Sequence, residues 1–164
     1  MIRIIDIEDA PAVSHLIREA FATVAPVLDP PPSALRETDA SVSEQIRRGG
    51  GVVWDDGAIR GCVLWRPENG GLYLGRLAVS PGYQGRGIAT GLLSAAEAHA
   101  RRAGIPVLRL AVRLALPGNR RLFAAHGFVD TALRAHDGYA VPTYAEAEKR
   151  LVAPTAPPPG TGTR

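Results

Sequence analysis

A chain of 164 residues is the size of one domain, and its 46% apolar content is enough to fill a single core. The formal charge is +3, and the arginines are spread in pairs (Arg47 and Arg48, Arg101 and Arg102, Arg120 and Arg121), which excludes the dense basic block of a nucleic-acid arm. Cys62 is the only cysteine, which excludes a disulfide framework or a cysteine-based zinc site within one chain and fits a reducing, cytoplasmic compartment.

Residues 1–9 alternate isoleucines with charges and lack the apolar run of a signal peptide, and no later stretch reaches membrane-spanning length. A soluble protein without a membrane partner is expected. Residues 3–6 read as a first strand, and residues 7–21 as a helix through Val13, Leu16, Ile17 and Ala20. Pro26 and the run Pro30, Pro31, Pro32 interrupt the pattern in what reads as a binding loop, before a polar helix over residues 33–48. Residues 52–54 and 58–65 read as a hairpin around Asp55, Asp56 and Gly57, because Asp-Gly tolerates the positive φ angles of a tight turn. Trp54 and Trp65 alternate with apolar neighbours there, so core packing is expected of both. A second turn at Asn69, Gly70 and Gly71 leads to a strand over residues 72–79.

A loop over residues 80–86, a helix over 87–103 with an apolar stripe (Ile88, Leu92, Ala96, Ala100, Ala103) and an alternating strand over 107–114 follow. Together with the preceding strand they form a strand-helix-strand unit, which implies a parallel pair with a right-handed crossover. Pro117 and Gly118 start a short helix that reaches about His126, and residues 128–135 and 143–152 read as two strands joined through Asp137 and Gly138. Residues 154–164, rich in proline, glycine and threonine, read as a disordered tail, which leaves one α/β domain over residues 1–153.

The stretch that carries chemistry is Leu77, Ala78, Val79, Ser80, Pro81, Gly82, Tyr83, Gln84, Gly85, Arg86, Gly87, Ile88, Ala89, Thr90, Gly91. A strand runs into a glycine-rich turn that opens a helix, and the first amides of a helix lack internal partners and lie at the positive end of its dipole. They suit a phosphate or pyrophosphate. Gly85 and Gly87 let the backbone approach such an anion closely, and Arg86 adds a charge that phosphate oxygens can use. Gly85, Gly87 and Gly91 imitate a dinucleotide-binding loop with one residue too many. That reading needs the motif in the first strand-helix pair and an acid ending the next strand, and neither is present. A nucleoside-triphosphate loop needs Gly-Lys followed by Ser or Thr, also absent. An ordinary tight strand-to-helix connection is the structural alternative.

Over residues 3–151 the sequence resembles the Gcn5-related N-acetyltransferase family, known as GNAT. Gln84, Gly87 and Ala89 match its central signature in order and spacing, after a strand ending Leu77, Ala78, Val79, Ser80, Pro81. Leu122, Phe123, Ala124, Ala125, His126, Gly127, Phe128 match its second motif some forty residues on. The resemblance implies a single-domain fold with a mixed central β-sheet, flanking helices and a splayed strand pair forming an acetyl-CoA cleft. It also implies transfer of the acetyl group to a small-molecule or peptide amine. Leu77, Ala78 and Val79 would bond the pantetheine arm like an added strand and supply an oxyanion donor. The amides of Gln84, Gly85, Arg86, Gly87, Ile88, Ala89 and Thr90 would hold the pyrophosphate, with Asn119 and Phe123 on the far side of the cofactor. No metal is implied, and the chain would act as a monomer or homodimer.

Two departures from the family pattern bear on catalysis. Phe123 stands where a tyrosine is proposed to protonate the departing thiolate, and residues 72–79 carry Tyr73 and Arg76 but no acid to take the proton of the amine. Proximity, the oxyanion contact and a water relay can suffice, or other side chains substitute. Tyr139 in the turn His136, Asp137, Gly138 is the first candidate acid, against a tyrosine that packs the hairpin. Tyr73 faces either the cleft or the core. His136 is a turn histidine with a weaker claim, His126 is expected to cap its helix, and His99 and His15 to pack or lie on the surface. A non-catalytic acyl-CoA-binding or regulatory domain is the alternative these departures keep open. Mixed charges on the acceptor-side segments (Asp29, Arg36, Glu37, Asp39, Arg134, Asp137) leave a peptide amine, an amino acid and an antibiotic-like amine all open.

Overall fold

The chain is described over residues 1–151 by a computed structural model; the tail expected at 154–164 lies outside the described residues. Seven strands form one mixed sheet: β1 (Ile2–Ile4), β2 (Gly50–Asp55), β3 (Ile59–Glu68), β4 (Gly71–Val79), β5 (Val107–Arg113), β6 (Val129–Arg134) and β7 (Tyr144–Arg150), in the order β1-β2-β3-β4-β5-β7-β6. Every neighbouring pair is antiparallel except β4 and β5. Those two are the parallel partners of the expected strand-helix-strand unit.

Capping residues set where the helices begin. Asp6 accepts from the Glu8 amide and Asp9 accepts from the Asp6 amide, a reciprocal box that opens a 3-10 turn over Ile7–Asp9 before α1 (Ala10–Val24). Thr38 and Ser41 make the same exchange at the start of α2 (Asp39–Arg48). The single polar helix expected over residues 33–48 is therefore two pieces, a 3-10 turn over Ser33–Arg36 and α2, because Glu37 and the N-cap Thr38 are extended. The helices α3 (Ile88–Arg102) and α4 (Pro117–Ala125) complete the fold. At the β3–β4 turn Asn69 and Gly70 have φ of 48° and 76°, and Glu68 faces Gly71 directly. Two consecutive positive φ angles define the type I′ hairpin that asparagine followed by glycine favours.

The helices lie on the two faces of the sheet. On one face Leu92, Leu93 and Ala96 of α3 pack with Leu108, Leu110 and Val112 of β5 and with Phe123 and Phe128. On the other, Val13, Leu16, Ile17 and Ala20 of α1 and Val42 of α2 pack with Val53, Cys62 and Ala78. The stripe expected on α3 is buried at Ile88, Leu92, Ala96 and Ala100, but Ala103 is exposed, because it is the C-cap residue where the helix has already ended. Trp65 is buried with the His99 ring stacked on it at 4.4 Å, and Trp54 packs against the same core. His126 is the C-cap of α4, and His15 pairs with Glu19 on the surface.

Candidate functional site

The site originates in a failure of pairing. β4 and β5 are in register at only two positions, Leu72 with Leu108 and Tyr73 with Arg109, and then diverge. On its other edge β4 carries a bulge: Cys62 faces Ala78 and Leu64 faces Gly75, so three steps on β4 oppose two on β3. Arg76 sits in the bulge at φ 55°, left-handed backbone that costs a non-glycine residue about 1 kcal/mol or more. The bulge bends β4 away from β5, and the β5-facing backbone of residues 74–79 is left without a partner strand. The Cys62 thiol donates to the Arg76 carbonyl at 3.4 Å, and complete burial pushes its pKa up to about 12, which makes it a packing group rather than a nucleophile.

The gap is a cavity of about 500 Å³. One wall is β4 from Leu74 to Val79, the opposite wall is β5 from Leu110 to Arg113, and α4 closes one side with Asn119 and Phe123. Phe21, Thr23 and Val24 at the C-terminal end of α1 reach it from the other face of the sheet, so the cavity is lined from both faces. At its far end lies the turn before α3. Gly85 and Gly87 have φ of 77° and 79°, Gly87 is the N-cap, and no side chain caps the helix. A Cβ at either glycine meets nothing within 4 Å, so the turn has open space beside it. An uncapped helix N-terminus that faces an open cavity is built to take an anion.

Most of the expected cofactor contacts come together here: residues 77–79, Gln84, Gly85, residues 87–90, Asn119 and Phe123 all line the cavity. Arg86 does not. Its guanidinium lies over the Tyr83 ring at 4.6 Å, with Arg60 over the same ring at 4.5 Å. Sequence reasoning had no signal for Tyr83, Arg113 or the α1 residues as walls of the site. Arg113 belongs to an alternating strand, but alternation alone does not say what its outer face meets.

Neither tyrosine proposed for proton transfer lines the cavity. Tyr73 is half-buried below the point of divergence with the Arg66 guanidinium over its ring at 4.2 Å, and burial raises its pKa. The Tyr139 hydroxyl donates to the Asp29 carboxylate, and that bond raises the phenol pKa as well. His136 beside it bonds the Thr143 hydroxyl, and desolvation and then Arg113 lower its pKa. No carboxylate and no imidazole lines the cavity among the described residues; its ionisable groups are Arg76, Tyr83 and Arg113.

The family follows from an independent comparison. The chain belongs to the acetyltransferase (GNAT) family, whose model matches residues 12–128. Among solved structures it is similar to the ribosomal-protein-S18-alanine N-acetyltransferase of Escherichia coli, at 20% identity and a TM-score of 0.74, covering 94% of this chain and 96% of that one. The PaiA N-acetyltransferase of Thermoplasma acidophilum, in complex with coenzyme A, matches at 20% identity and a TM-score of 0.74 over 92% of this chain and 98% of that one. YncA of Salmonella typhimurium, solved with acetyl-CoA, matches at 21% identity and a TM-score of 0.70 over 96% of each chain. No curated protein matches the chain. Among the described residues no helix is long and apolar enough to cross a membrane, and no group of three or more His, Cys, Asp or Glu is placed to hold a metal ion.

Proposed function

We propose that this chain is an N-acetyltransferase that passes the acetyl group of acetyl-CoA to an amine acceptor by direct attack in a ternary complex. The observation that carries the reading is the divergence of β4 and β5 after two paired residues, with the open, uncapped start of α3 at the end of the gap. Acetyl-CoA supplies an acetyl group activated as a thioester. Its diphosphate fits the amides of residues 87–90, and the unpaired edge of residues 74–79 can take a pantetheine arm as an added strand. An amide of residues 77–79 is the proposed oxyanion donor.

Holding two reactants in one cleft replaces the entropy of bringing them together. With no carboxylate or imidazole in the walls, solvent at the open face takes the proton of the amine as the C–N bond forms, and it returns one to the departing sulfur. The acceptor enters from the α1 face, opposite α3 and α4.

The test is an acceptor screen with acetyl-CoA that follows free thiol release, together with Gly87→Glu. A glutamate there puts a carboxylate where the diphosphate belongs, so coenzyme A binding measured by calorimetry is expected to vanish. Gly87→Ala carries the same strained φ without the anion and keeps most of the affinity. Undiminished binding by Gly87→Glu sinks the placement. Binding of coenzyme A with no transfer to any amine favours an acyl-CoA-binding regulatory domain, for which the absence of a carboxylate or imidazole among the described lining residues is the supporting feature.

A further inference from the structure

Arg113 and Arg76 meet the same cavity from opposite walls, and both point to the face of the sheet where α1 and α2 lie. On β5, Leu108, Leu110 and Val112 turn toward α3 and α4, so alternation sends Ala111 and Arg113 to the other face. On β4 the bulge at Arg76 sends that side chain the same way: its Nε donates to Glu37 Oε2 at 3.1 Å and its Nη2 to Ser33 Oγ at 3.1 Å, both on segments that flank α2.

Their charges are balanced differently. Glu37 neutralises Arg76 and is only 7% exposed, with Ser41 and Gln45 donating to its carboxylate at 2.9 and 2.6 Å. Arg113 has no carboxylate within ion-pair distance among the described residues. It makes one long hydrogen bond, from Nη2 to the Pro31 carbonyl at 3.4 Å, although it is partly buried in the cavity wall. A guanidinium carries five donors in a planar fork shaped for a carboxylate. The donors that Arg113 leaves unused are within reach of a ligand that enters the cavity. Asp29, the nearby acid, accepts from the Tyr139 hydroxyl and acts on Arg113 through its field without reaching ion-pair distance.

We propose that the acceptor is an amine that also carries a carboxylate, an amino acid or a close analogue, and that Arg113 binds this carboxylate on the α1 face of the cleft. This rests on the acetyltransferase reading. With Arg76 paired to Glu37, Arg113 is the cation of the walls left without a carboxylate, and no anion lines them, so a simple ammonium compound finds no partner there, whereas an amino acid is anchored through its carboxylate. The Arg113 charge also favours the uncharged amine, the form that can attack an acyl carbon.

The experiment compares matched acceptors: a set of amino acids, their carboxamides and the corresponding decarboxylated amines, each assayed for thiol release with acetyl-CoA. Calorimetry follows the same compounds binding to the coenzyme A complex. The wild-type chain is expected to use at least one amino acid with kcat/KM ~10-fold to ~100-fold above its carboxamide, the range of a charge-assisted hydrogen-bond pair. Arg113→Gln should remove that preference by raising KM for the amino acid and leave coenzyme A affinity intact. Arg113→Lys, which keeps the charge without the fork, should restore part of it. Equal use of amino acid, carboxamide and plain amine overturns the carboxylate site and leaves the acetyltransferase reading standing. So does an Arg113→Gln variant that keeps the preference. Amino acid binding to the coenzyme A complex without any transfer supports the site and overturns the enzyme reading, and neither binding nor transfer overturns both.

Discussion

At the scale of single residues, the question is what Tyr139 does. Its place in the turn with His136, Asp137 and Gly138 makes it the first candidate for the acid, but a group that protonates a thiolate needs a proton it can release. The Tyr139 hydroxyl donates to Asp29, which holds its pKa above the usual phenol value, and the ring lies outside the cavity wall. We propose that the bond instead ties the β6–β7 connection to the proline-rich loop over residues 29–32, whose Pro31 carbonyl also receives Arg113. Tyr139→Phe and Asp29→Asn each weaken or remove the same tether. Both should raise KM for the acceptor by about threefold or more while kcat and coenzyme A affinity stay nearly constant, the pattern of lost acceptor positioning. Steady-state kinetics on a verified acceptor check it. A fall in kcat of ~100-fold in Tyr139→Phe alone, with coenzyme A affinity intact, would instead assign the hydroxyl to proton transfer.

At the scale of elements, the bulge of β4 depends on the segment between α1 and α2. Arg76 pays a backbone penalty, and its ion pair with Glu37 at 3.1 Å holds it there. Burial by itself would raise the Glu37 carboxyl, but hydrogen bonds from Gln45, Ser41 and Arg76 outweigh it and keep the group below the usual carboxylate value. Glu37→Ala removes the acceptor that serves three donors, and Arg76 stays partly solvated, so a loss of about 2 to 3 kcal/mol is expected in urea unfolding. Because the folded-state pKa is lowered, the stabilisation is full above the unfolded value near 4.5 and is lost as pH falls through the folded one. The wild-type chain should therefore lose the ionisation-linked part of this stabilisation below about pH 4.5, and Glu37→Ala should show a flatter acid limb there. Equal pH slopes for the two chains would mean that folding does not lower the Glu37 pKa. None of this was legible in the sequence. Glu37 looked like one acid in a mixed-charge segment, and positive φ at an arginine leaves no pattern to read. What was legible is local: the spacing of Val13, Leu16, Ile17 and Ala20 placed the buried face of α1, and Asn69-Gly70 placed the β3–β4 turn. The glycine-rich turn before α3 was equally plain, because its residue types are dictated by backbone geometry. Arg113 and Tyr139 acquire their meaning from partners 82 and 110 positions away, which no spacing rule reaches.

At the scale of the whole molecule, the sheet is closed by β7, which lies between β5 and β6 and pairs with β5 from Val107 with Arg150 to Arg113 with Tyr144. Its C-terminal end is fastened to both neighbours it passes. The Leu151 amide donates to the Pro106 carbonyl at 2.8 Å, and its own carbonyl receives Arg101 Nη1 at 2.7 Å. Its side chain is 6% exposed among the residues packed against α3, and Lys149 pairs with Glu97 on the same helix. Among the described residues the backbone bonds of β7 to the sheet are followed by that of Leu151. Residues 154–164 contain Ala156 as their only apolar side chain other than proline, so they offer little area to offset the entropy of ordering. We propose that the domain is complete without them. Truncation after Ala153 should move the melting temperature by less than about 2 °C and leave coenzyme A affinity unchanged, because a 1 kcal/mol contribution would already shift a domain of this size by about 2 to 4 °C. Thermal unfolding followed by circular dichroism, with calorimetry on both chains, measures the two quantities. A drop of about 5 °C or more would show that the tail packs on the domain. A loss of coenzyme A affinity at constant melting temperature would place it at the mouth of the cleft instead.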